Sequence, residues 1–234
     1  MIRIHDRDLR GRTDTGWLKS YHTFSFGGWH DPTRTRTRFR KLRVLNDDIV
    51  IPGAGFPMHE HDNMEIVTYI LSGALEHKDS LGNGGVIRPG EIQRMTAGSG
   101  IAHSEFNPSA DEPVHLLQLW FFPETRDLQP GYEQVTIPAP VNDDHFVTIA
   151  DRNGTGGIAT IHQDMTIARG TFRDGESATY NLGKDRGVFL QVTKGGLLLD
   201  GEALREGDGA EIEKVDSFTL KADHDSEVLI FDMA

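Results

Sequence analysis

Two short stretches carry the side chains best suited to chemistry: His59-Glu60-His61, with Glu65 beyond it, and His103-Ser104-Glu105. Imidazoles and carboxylates are the usual protein ligands for divalent first-row metals. Along a strand, side chains alternate between faces, so His59 and His61 point one way and Glu60 the other. By the same rule His103 and Glu105 share a face, and Ser104 opposes them. If both segments line the inside of one barrel, three imidazoles and a carboxylate converge and leave positions open for water, substrate or O2. Either pair alone is more often a solvated pair at the surface or a pair satisfied by its own hydrogen bonds. Their joint occurrence favours a metal site, because each follows residues that turn a backbone tightly (Pro52, Gly53, Gly55 and Pro57; Gly98 and Gly100). Such a donor set accepts Fe, Mn, Co, Ni, Cu or Zn, with selectivity left to geometry and supply. The chain has no cysteine, which removes thiol nucleophiles, disulfides and thiolate metal sites together.

The elements that must position these residues read as strands. Short apolar or alternating runs bounded by Gly, Pro, Asp and Asn recur at 42–52, 65–73, 73–80, 86–90, 91–98 and 114–122. They return at 145–150, 165–172, 188–196, 197–204, 210–213, 217–222 and 227–233. LGNGG (81–85) and LLDGE (198–202) have hairpin chemistry, since Gly, Asn and Asp accept positive φ. One unit is used twice. Tyr69–Gly73, a hairpin and Arg88-Pro-Gly-Glu-Ile92 are matched by Val192–Gly195, a hairpin and Arg205-Glu-Gly-Asp-Gly209. The expectation is an all-β chain of two stacked barrels with few short helices. The N-terminal barrel would span 1–137 and the C-terminal barrel 138–234, joined at the proline-marked IPAPVNDD (137–144). The second half has no histidine pair; His162 and His224 stand alone, so its barrel is expected to be metal-free.

The 234 residues carry a formal net charge of −12, which argues against general nucleic-acid binding. The basic run from Thr33 to Arg43 reads first as a solvated edge and second as a contact for an anion or protein partner. The N-terminus has no apolar signal core, and no apolar run approaches membrane-spanning length, so a cytoplasmic location is expected.

The spacing Gly53-x5-His59-x-His61-x3-Glu65 resembles the first cupin motif, with one extra residue before Gly73. Gly100-x2-His103-x3-Asn107 resembles the end of the second, with Gly98 where proline is usual. His-x-His, a 41-residue gap and His-x-Glu form the arrangement of the pirins and their bacterial relatives. The same likeness extends through Trp17–Phe26, Asp31-Pro32, Arg43–Asp47 and His162–Met165, essentially the whole chain. It is nearest to bacterial pirin-like proteins with quercetin 2,3-dioxygenase activity, and implies a bicupin of double-stranded β-helix type. It also implies metal ligation by His59, His61, His103 and Glu105, with Glu105 as a catalytic base. Glu65 matches the general cupin ligand and ranks behind Glu105, because Asp62-Asn63 favours a turn that breaks strand phase. The implied activity is oxidative ring opening of a flavonol with O2 and loss of CO. Phe56, Met58, Met64 and the aromatics of LQLWFF would form walls for a flat polyphenol. The other implied role is a metal-dependent regulatory or redox-sensing protein that binds a protein partner.

Overall fold

A computed structural model describes residues 1–25, 36–141 and 144–234. Phe26, Asp31-Pro32, the start of the basic run (33–35) and part of the proposed linker (142–143) lie outside the described residues. Among the described residues the regular structure is almost all β-strand, with two short 3-10 turns at Arg7–Leu9 and Thr155–Gly157. No helix among the described residues is long and apolar enough to cross a membrane.

Two compact units form. The N-terminal unit comprises Arg10–Ile137 and Arg152–Gln163; the C-terminal unit comprises Met1–Leu9, Pro138–Asp151 and Asp164–Ala234. Each unit therefore recruits a short segment from beyond a single cut at 137/138. Strand Ile2–His5 pairs antiparallel with Gly209–Glu213 and forms the edge of the C-terminal unit's larger sheet.

In the N-terminal unit the larger sheet runs in the order Gly131–Thr136, Glu91–Thr96, Glu65–Ser72, Val114–Phe121, Leu42–Val50, Leu18–His22, Gly11–Asp14. The smaller sheet runs Gly55–His61, Ile101–Phe106, Leu75–Asp79, Gly84–Ile87. The C-terminal unit repeats the plan. Its larger sheet runs Ile2–His5, Gly209–Glu213, Gly187–Lys194, Ser226–Met233, Met165–Phe172, Phe146–Asp151. Its smaller sheet runs Ser177–Asn181, Ser217–Ala222, Gly196–Leu199, Glu202–Arg205.

The repeated sequence unit has a structural reason. Gly73 and Gly195 both adopt left-handed backbone, with φ of 76° and 74°. A Cβ at either would stand 2.5 Å from a main-chain oxygen, that of Pro113 or Asp225 respectively. The turn that follows each hairpin is also shared: the Arg88 amide donates to Glu91 at 2.8 Å, and the Arg205 amide to Asp208 at 2.9 Å. Only glycine meets both the dihedral and the crowding at the first position.

Candidate metal centre

Gly55–His61 pairs antiparallel with Ile101–Phe106, and His59 stands directly opposite His103. The register slips between His103 and Glu105, where Glu105 meets Phe56. The extra residue falls in the stretch containing Pro57, which has no N–H to give a ladder. That bulge brings a carbonyl to the site: His59 Nδ1 lies 2.8 Å from Pro57 O. An Nδ1–H donated there leaves the Nε2 lone pair free for a cation.

Three imidazoles gather. Ring centroids are 4.4 Å apart for His59 and His103, 4.8 Å for His59 and His61, and 5.0 Å for His61 and His103. Their ligand atoms all lie within 4.8 Å of one another, a group that could hold a metal ion. Glu105 belongs to a second such group with His77 and His103, so His103 is the residue the two share. Glu60 is exposed and Ser104 half-buried, as strand alternation requires. The donors fit a cation on one further observation: His103 Nε2 is buried with no hydrogen-bond partner among the described residues. Burial pushes the His103 pKa far below the ordinary imidazole value, and the nearby His59, His61 and His77 push it the same way. Burial, then the proximity of His59, lowers His61 to about 4. Both rings are therefore neutral at pH 7, the form that donates a lone pair.

Glu105 is 3% exposed and sits on a polar row inside the barrel. Gln118 Nε2 donates to both carboxylate oxygens at 3.1 and 3.0 Å, and Thr68 Oγ1 donates to one at 3.4 Å. Burial raises its pKa to about 7, against the lowering effect of those donors. His22, Asn46, Gln118, Thr68 and Gln93 are successive partners across five neighbouring strands. Asp48, one step along the same strand face from Asn46, is also raised to about 7, chiefly by burial.

Glu65 has a different job. It is fully buried at the start of Glu65–Ser72, after Asn63 takes a positive φ of 48°. One carboxylate oxygen accepts from the His162 amide at 3.1 Å and lies 3.2 Å from His162 Nδ1. It thus tethers segment 152–163 of its own unit. Trp120 packs edge-on against His61 at 4.9 Å and Phe56 lies 6.4 Å from His59, while Met58 is exposed. Met64 and Trp120 pack on Ile66, Met95, Ala97 and Ile101. In the described part of the basic run, Arg43 donates to the carbonyls of Ser25 and Thr37, and Arg38 lies over Phe122.

A family model described as Pirin matches residues 4–121, and one described as Quercetinase C-terminal cupin domain matches 148–233. The chain belongs to the pirin family. A relative from Escherichia coli (strain K12), quercetin 2,3-dioxygenase, is 41% identical over 233 residues, covering 100% of this chain and 99% of that one. The crystal structure of YhhW from Escherichia coli aligns with a TM-score of 0.95 at 39% identity, covering 100% of this chain and 98% of that one. The bacterial pirin YhhW in complex with nickel(II) aligns at 0.93 and 39%, covering 100% and 99%.

Sequence reasoning did not reach every group around the pirin centre. His77 is a single histidine in LEHKD, yet it is fully buried 3.4 Å from His103. Burial lowers its pKa, with Asp79 opposing. A signal was present in the shared parity of Leu75, His77 and Asp79. Gln118 and Thr68 gave none, since single polar residues in apolar strands are common.

Proposed function

We propose that His59, His61, His103 and Glu105 hold one divalent transition metal ion, and that the protein is a dioxygenase opening the ring of flavonols such as quercetin with O2 and release of CO. The observation that carries this reading is the meeting of three imidazoles beside a buried carboxyl. The relatives' named activity supports it. A bound cation would supply Lewis acidity, stabilising the anion of the flavonol 3-hydroxyl. Glu105, if it loosens from the cation, would take the hydroxyl proton as general base, with Gln118 and Thr68 aiming its oxygens. Trp120 and Phe56 offer flat apolar surface beside His61 and His59. The metal is drawn from Fe, Mn, Co, Ni, Cu and Zn, all compatible with nitrogen and oxygen donors.

The test is to strip the protein, reload it with single divalent ions, and follow quercetin loss, O2 uptake and CO release together. At least one metal form is expected to consume quercetin and O2 in equal amounts and yield one CO for each. Metal-replete protein that leaves quercetin untouched overturns the proposal.

A further inference from the structure

A metal ion on His103 would engage one ring nitrogen, and the surroundings of the other suggest how that ring is aimed. Its Nε2 is buried with no hydrogen-bond partner among the described residues, whereas its Nδ1 lies 3.4 Å from Nδ1 of His77. At that separation one ring donates a hydrogen and the other accepts it. His77 and Asp79 both have wholly buried side chains, and His77 Nε2 stands 3.5 Å from Asp79 Oδ2. This is ion-pair range, too long or bent for a good hydrogen bond, and His77 Nε2 has no hydrogen-bond partner among the described residues. Asp79 is itself fixed. Its Oδ1 accepts from the amides of Leu81 and Asn83, each at 2.9 Å, and Asn83 Nδ2 lies 3.1 Å from Oδ2. Tyr132 stacks on the His77 ring at 4.8 Å and 25°. Gly85, the cross-strand partner of His77, leaves room for Gln134 and Tyr132: a Cβ there would collide with Gln134 Oε1 and stand 3.1 Å from the Tyr132 hydroxyl.

The tautomers follow in order. A cation on His103 Nε2 requires the hydrogen on His103 Nδ1, which then donates to His77 Nδ1. His77 must carry its own hydrogen on Nε2, the atom nearest the Asp79 carboxylate. The opposite assignment places a hydrogen on His103 Nε2 and removes the lone pair from the centre.

We propose that Asp79 and His77 form a buried relay that fixes His103 in the tautomer and orientation a metal ion requires, with His77 a positioning residue and not a ligand. The inference rests on the ligand reading above. His77, His103 and Glu105 are also close enough to hold an ion themselves. If a cation there took His103 Nδ1, the nitrogen that faces His77, it would leave Nε2 buried and unused. The relay employs both nitrogens of both rings.

The test uses the zinc-loaded, 15N-labelled full chain, in which long-range proton–nitrogen spectra assign each imidazole tautomer. His103 is expected as Nδ1–H and His77 as Nε2–H. The reverse pattern, or a metal-bound nitrogen on His77, overturns the relay. His77→Phe keeps a ring beside Tyr132 and removes both nitrogens. By chelator competition its zinc affinity is expected to fall ~10–100-fold, the usual range for removing a partner of a ligating histidine. His77→Gln keeps a donor and an acceptor and is expected to recover most of that loss. If circular dichroism shows that His77→Phe does not fold, Asp79→Asn asks the same question, with a smaller loss expected. Affinity unchanged in the folded variants overturns the relay alone; wild-type protein that binds no zinc overturns the ligand reading and the relay together.

Discussion

The two units share a strand plan and differ in what they put inside it. By sheet order, strand Ile101–Phe106 of the N-terminal unit corresponds to Ser217–Ala222 of the C-terminal unit. The buried alternate positions are Ile101, His103 and Glu105 in one, and Phe218, Leu220 and Ala222 in the other. Leu75, His77 and Asp79 are likewise matched by the apolar Leu197 and Leu199. The C-terminal interior continues with Val188, Leu190, Val192, Ile212, Val228 and Ile230. The N-terminal one replaces such residues with Asn46, Asp48, Thr68, Gln93 and Gln118. An apolar filling stabilises a barrel by removing hydrocarbon from water, whereas a polar filling costs desolvation that hydrogen bonds only offset. The architecture is thus a neutral frame, and the contents decide whether it is a core or a site.

The largest effect is expected at the shared donor. His103→Ala should lower metal affinity by at least ~100-fold, since it removes a ligand outright, and metal analysis after dialysis checks it. Unchanged metal content would show that the N-terminal filling is not a metal site. Leu220→His, at the corresponding C-terminal position, should destabilise the fold by about 1–3 kcal/mol, the range for burying a polar group without a partner in an apolar core. It should gain no metal, because the described residues clustered with it are apolar. Denaturant unfolding and metal analysis test both halves of that statement.

The smallest effect concerns Asp48 and depends on pH. Its folded pKa of about 7 lies above the ordinary 3.8, so between those values the native state holds a proton that the unfolded chain has lost. Stability from this group is therefore full below pH 3.8 and lost as pH rises through 7. Asp48→Asn should raise the metal-free protein's melting temperature by a few degrees at pH 8 and have little effect near pH 4. A difference independent of pH would mean that Asp48 does not titrate in this interior.

The strands and the face on which His59, His61, His103 and Glu105 lie were legible because both follow a period of two along the chain. Glu65 was legible in part: Asp62-Asn63 marked the turn that takes it out of phase with His59 and His61 and onto the other sheet. Its partner His162 is 97 residues away, a pairing that no local pattern encodes. The bulge at Pro57 is the same kind of case. Proline marked a break in the ladder, but the slip between His103 and Glu105 depends on the opposite strand. His77 and Gln118 stayed hidden because a buried polar residue is recognised by its neighbours, and those come from other strands.

The edge strand Ile2–His5 has a consequence for biosynthesis. The ribosome makes it long before its partner Gly209–Glu213, so the C-terminal sheet cannot close until nearly the whole chain has emerged. The N-terminal unit also waits, for Arg152–Gln163. Such distant pairings slow folding and leave strand edges open while they wait. Deleting the first nine residues should therefore hinder maturation more than chemistry: a smaller soluble yield, but normal metal loading in the molecules that do fold.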